Sequence, residues 1–85
     1  MKKIEVHQLL ANLNKIHTTK LGKERIRKNL CLEREDVVDW CIQKMQDANS
    51  AISPKGKNWY INGDNCEITV NAYSYTIITA HKRNN

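Results

Sequence analysis

Apolar residues recur three and four positions apart through the first half of this chain and every second position through its last third. Val6, Leu9, Leu10, Leu13 and Ile16 keep helical spacing, with Gln8, Asn12, Asn14 and Lys15 off the stripe, which predicts an amphipathic helix over residues 4–16. His17, Thr18 and Thr19 follow, and threonine hydroxyls accept from the free N–H groups at a helix start. A second helix is predicted over about 19–29, burying Leu21, Ile26 and Leu30. Gly22 inside it costs up to about 1 kcal/mol against alanine, so it marks a place to look for close approach of another backbone. A third helix is predicted over 34–48, with Val37, Val38, Cys41, Ile42 and Met45 on its apolar face and Trp40 at the margin. Glu33, Glu35 and Asp36 lie where the positive end of its dipole favours carboxylates.

The period then changes to two. Ala51, Ile52 and Ser53 form a short first strand, and Pro54, Lys55 and Gly56 a turn. A two-residue turn at Gly63 and Asp64 sets Asn62 opposite Asn65, Ile61 opposite Cys66 and Trp59 opposite Ile68, placing the apolar partners on one face. An even-length loop near Asn71, Ala72 and Tyr73 adds Tyr73, Tyr75 and Ile77 to the same side as Ile68 and Val70. Continued alternation directs Thr79 and His81 to that helical side. It leaves Asn58, Tyr60, Glu67, Thr69, Asn71, Ser74 and Thr76 on the other face, ending in Ile78 and Ala80. The predicted architecture is α+β: two to three N-terminal helices packed on one face of a small three- to four-stranded antiparallel sheet. One domain covers 1–85, with a helical half at 1–49, the sheet at 50–82 and a frayed tail at 83–85.

Composition narrows the class. With 85 residues, 40% apolar and 27% charged, the chain fits one soluble globular domain. The longest run without Lys, Arg, Asp or Glu, 68–81, with its apolar part at 73–80, is short of the roughly 20 apolar residues that span a bilayer. Glu5, His7 and Gln8 interrupt any signal-peptide apolar region, so a cytoplasmic location without membrane contact is the expectation. Cysteines at 31, 41 and 66 are odd in number and lack CxxC spacing; they read as small buried thiols, and neither metal nor cofactor is expected. Residues 1–32 carry eight Lys or Arg against two Glu, whereas 33–49 carry two against five acids. A basic N-terminal third favours a polyanionic partner, although lysine-rich helix faces are also ordinary solvated surface.

Two histidines, His17 after the first helix and His81 near the end of the last strand, could divide the roles of general base and acid with Thr79 beside them. The alternative is that each simply ends an element at the surface; His7, on a helix surface, has no role. Lys55, Gly56 and Lys57 place two cations around a glycine, where ammonium and backbone N–H groups could hold a phosphate or merely solubilise a turn. Arg25 extends this field, and Tyr60, Asn71 and Ser74 complete a set suited to stacking and hydrogen-bonding nucleic acid. No P-loop, GxGxxG, paired metal-ligand motif or GxSxG is present, so nucleotide hydrolysis, dinucleotide redox chemistry, zinc catalysis and α/β-hydrolase activity lack support.

The blocks IHTTKLGKERIRKNL (16–30), DVVDWC (36–41), GKNWY (56–60) and ITVNAYSYTIITAHK (68–82) together resemble a small bacterial family of single-domain proteins of unknown function. A weaker likeness, in the helices, the antiparallel sheet and a last strand ending SYTIITAHK, links the chain to the barnase, colicin-tRNase and RelE-like group of metal-independent ribonucleases. That second likeness implies attack by an RNA 2′-hydroxyl, with Lys55, Lys57 or Arg25 stabilising charge, Thr79 or His81 assisting and His17 exchanging protons. Two functional expectations result. One is an RNA-directed protein that binds or cleaves RNA. The other is an interaction module without chemistry, in which Tyr60, Thr69 and Thr76 meet a protein partner or a second copy, or an edge strand pairs with one.

Overall fold

The computed structural model describes residues 4–33, 36–63 and 65–83. Glu35 of the third helix start, Asp64 of the hairpin turn and Asn84 and Asn85 of the tail lie outside the described residues. Three helices, α1 (Val6–Ala11), α2 (Lys20–Leu30) and α3 (Val37–Gln46), precede four strands, β1 (Ala51–Lys55), β2 (Asn58–Gly63), β3 (Cys66–Asn71) and β4 (Ile77–Lys82). The strands form an antiparallel meander in the order β1-β2-β3-β4, so the protein is α+β, as the change of period predicts.

Local chemistry explains where the helices stop. The first is shorter than its apolar stripe, because Asn12 donates its side-chain amide to the carbonyl of Gln8 and the chain tightens into a single 3-10 turn at Leu13–Lys15. Thr19 caps α2, its hydroxyl accepting from the N–H of Gly22 at 2.9 Å. Cys31 ends α2 in the left-handed conformation, φ 55°, a position that usually takes glycine. It is exposed, which corrects the expectation that all three thiols are buried; Cys41 and Cys66 are. Leu21 is also exposed, because it lies five residues before Ile26 and therefore roughly 140° around the helix from it. Ile26 and Leu30, four apart, are buried.

β1 runs two residues further than its composition suggests, through Pro54 and Lys55. A proline is tolerated there because β1 is an edge strand. In the next hairpin Gly63 pairs with Cys66, Ile61 with Ile68 and Trp59 with Val70, a shift of two residues from the predicted register. A shift of two leaves every side chain on its predicted face. Trp59, Ile61, Cys66, Ile68, Val70 and Ile77 are all buried on the helical side, in one core with Leu9, Ile16, Ile26, Leu30, Val37, Cys41 and Met45.

The last strand departs from simple alternation. Val70 pairs with Ile77, but Thr69 pairs with Thr79, so Ile78 is the extra residue of a β-bulge. Beyond it the faces exchange. Ala80 is fully buried opposite Ile68, whereas Thr79 and His81 lie opposite Thr69 and Glu67 on the outer face. This corrects the expected placement of Thr79 and His81 beside the helices and of Ala80 outside. Tyr73 likewise leaves the core side: it sits in the β3–β4 loop and is 65% exposed.

The free edge of β4 is covered by the chain that enters α2. His17 forms a parallel bridge with Thr76, its N–H donating to the carbonyl of Tyr75 at 3.1 Å and its carbonyl accepting from the N–H of Ile77 at 2.8 Å. Thr18 donates its hydroxyl to the carbonyl of Ile77 at 3.1 Å, and the Asn29 amide donates to that of Ala80 at 3.3 Å. Gly22 permits this seam. A Cβ there would stand 2.5 Å from the Thr18 hydroxyl oxygen, so the close approach is to a side chain rather than to a backbone.

Candidate functional site

The β3–β4 loop and the β1–β2 turn lie at the same end of the sheet, where the carbonyl of Lys57 accepts from the N–H of Ala72 at 2.8 Å. Asn71 organises the loop. Its Oδ1 accepts from the N–H groups of Tyr73 and Ser74 and lies 3.1 Å from the Ser74 hydroxyl. The Tyr75 N–H donates to the Asn71 carbonyl, with Tyr75 itself held at φ 60°. A bulky side chain in that region costs on the order of 1–3 kcal/mol and needs fixing from outside. Here the Tyr75 ring packs 5.6 Å from that of Trp59, accepts at its hydroxyl from the Gln8 amide, and lies under the ammonium of Lys15 at 5.5 Å.

These contacts bring a polar chain together from segments 59 residues apart. His17 Nδ1 is 2.9 Å from the carbonyl of Lys15, which can only accept, so Nδ1 carries a hydrogen. The other ring nitrogen, Nε2, is 3.1 Å from the Thr76 hydroxyl, which is 2.8 Å from that of Ser74. Imidazole, two hydroxyls and the Asn71 carboxamide thus form one connected row at an exposed loop. Lys15 and Lys57 flank it.

The sequence-derived candidates divide between two places. His17, Asn71, Ser74 and Lys57 gather at the loop end. Arg25 stands beside it, lining a hollow of about 320 Å³ with Thr18, Leu21, Thr76 and Ile78. Lys55 and Tyr60 belong to the outer sheet face, where they line a second hollow of about 350 Å³ with Ser53 and Glu67. Thr79 and His81 are on that face too, His81 Nε2 lying 3.9 Å from a Glu67 carboxylate oxygen. His17 bridges to Thr76, five residues before His81, so the two imidazoles are separated by roughly 16 Å of strand and do not meet. Thr76, placed by periodicity only on an outer surface, is the link between His17 and Ser74. No local pattern pairs residue 17 with residue 76.

Among the described residues, no group of three His, Cys, Asp or Glu side chains could hold a metal ion, and no helix is long and apolar enough to cross a membrane. Helices over one face of a four-stranded meander, with a polar loop end stitched to the helix linker, define a small α+β domain bearing a candidate polar binding site. The chain belongs to the family described as Protein of unknown function (DUF3781), which matches residues 10–81. Neither a curated protein nor a solved structure matches it.

Proposed function

We propose that this protein binds single-stranded RNA across the loop end of its sheet. The observation that carries the reading is the exposed row His17, Thr76, Ser74 and Asn71, held beside the backbone of Lys57 and next to Lys15. Hydroxyl, imidazole and carboxamide groups can read phosphates and base edges, exposed Tyr73 offers a ring for stacking, and Lys15, Lys57 and Arg25 supply charge. A net charge of +5 favours the encounter.

Binding is better supported than cleavage. Phosphoryl transfer to a 2′-hydroxyl uses an acid and a base at one phosphate, whereas His17 stands here without His81. Strand addition by a protein partner has less support as well. Pro54 and Lys55 interrupt the β1 edge, and the His17 segment occupies that of β4.

The test is fluorescence anisotropy of a labelled single-stranded RNA oligonucleotide at 50 and 200 mM salt, beside intact-RNA controls in EDTA. Three phosphate contacts give a salt slope of about −2, hence roughly a twentyfold loss of affinity over that range, with the RNA left uncut. A salt-resistant dimer that ignores RNA at both concentrations would overturn the proposal.

A further inference from the structure

The hollow between α2 and β4 carries a second feature. Leu21 and Ile78 are large apolar side chains, 60% and 51% exposed, and both line it. Each is exposed for a separate structural reason: Leu21 lies off the buried stripe of α2, and Ile78 is the residue extruded by the β4 bulge. Bulges re-aim side chains at functional places, and this one brings an isoleucine to the rim of a cavity that also holds a cation and hydroxyls. Arg25 forms no ion pair among the described residues. Thr76 belongs to both places, lining the hollow while its hydroxyl continues the row from His17 to Ser74.

Resting on the RNA reading above, we infer that this hollow is a subsite for one nucleotide of the bound strand, its base lying against Leu21 and Ile78 and its phosphate meeting Arg25. A base presents an apolar face that gains by leaving water against aliphatic carbon, and its phosphate is complementary to the Arg25 guanidinium. At about 320 Å³ the hollow has the lower range of volume typical of small-ligand sites, enough for one base and not for a helix.

The experiment compares two probes, a single-stranded RNA oligonucleotide and inorganic polyphosphate of similar charge, against wild type and three variants. Leu21→Ser with Ile78→Thr should lower RNA affinity about tenfold and leave polyphosphate binding unchanged, since only RNA has bases to place. Arg25→Gln should weaken both probes, and His17→Ala should weaken RNA by itself. Both apolar side chains are exposed, so coincident urea unfolding curves will show that the variants fold. If RNA binds wild type and His17→Ala weakens it while the Leu21 and Ile78 changes do not, the subsite is refuted and the RNA reading stands. If wild type binds no RNA, both fall.

Discussion

Replacing Asn71 separates the architecture of the loop from its binding chemistry. Its Oδ1 is the acceptor for two backbone N–H groups, at 3.0 and 2.9 Å, and for the Ser74 hydroxyl at 3.1 Å. Each such bond contributes about 0.5–1.5 kcal/mol net, but one oxygen serves all three and water can reach them, so Asn71→Ala should cost about 1–2 kcal/mol, the range of a lost helix cap. Asn71→Asp keeps the acceptor and should leave stability within about 0.5 kcal/mol of the parent. Its added negative charge should nevertheless weaken RNA binding, whereas Asn71→Ala should weaken it by releasing Ser74 and Thr76. Urea unfolding followed by tryptophan fluorescence gives the stabilities, since buried Trp59 packs on Tyr75 at the base of this loop. An Asn71→Asp protein as destabilised as Asn71→Ala would show that the carboxamide oxygen does not organise the turn.

Two further outcomes test the fold around the site. Gly22→Ala, ordinarily worth up to about 1 kcal/mol to a helix, should instead destabilise by about 1 kcal/mol, because the new Cβ would displace the Thr18 hydroxyl from the Ile77 carbonyl; adding Thr18→Ala should relieve the conflict in a double-mutant cycle. Burial, with a smaller contribution from the neighbouring Cys66, pushes the Cys41 thiol from 9.0 up to about 12. The neutral thiol is the form the fold holds, so its contribution is fully present below pH 9 and is lost as pH rises toward 12, at no more than about 1.4 kcal/mol per pH unit. Urea midpoints measured from pH 8 to 10.5 should therefore fall more steeply for wild type than for Cys41→Ala, and parallel curves would refute the assignment.

Strand side chains were legible because Trp59, Ile61, Ile68 and Val70 alternate with polar residues, and a period of two tells faces apart. The same period cannot distinguish a register from one displaced by two residues, which is why Ile61 meets Ile68 rather than Cys66. The bulge at Ile78 was invisible for a related reason: TIITA reads as unbroken strand, and only pairing with β3 decides which residue is extruded. Helix existence followed from spacing, while Leu21 shows that an apolar residue near a stripe need not belong to it. At the site, Asn71, Ser74, His17 and Lys57 were recognisable as polar groups able to meet a nucleic acid. Their assembly around Thr76 was not, since it depends on a parallel bridge between distant segments, whereas periodicity speaks only of neighbours.

That bridge also bears on how the molecule is made. Translation delivers Thr18 and Asn29 long before Ile77 and Ala80, so the early helices wait for acceptors that emerge 59 and 51 residues later. A nascent chain stopped ahead of β4 carries Ile26 and Leu30 with no strand to cover them, a species suited to chaperone capture. The link from His17 to Thr76 that completes the polar row is therefore absent from any fragment that stops before Thr76, whereas the contacts among Asn71, Ser74 and Thr76 are local to their loop.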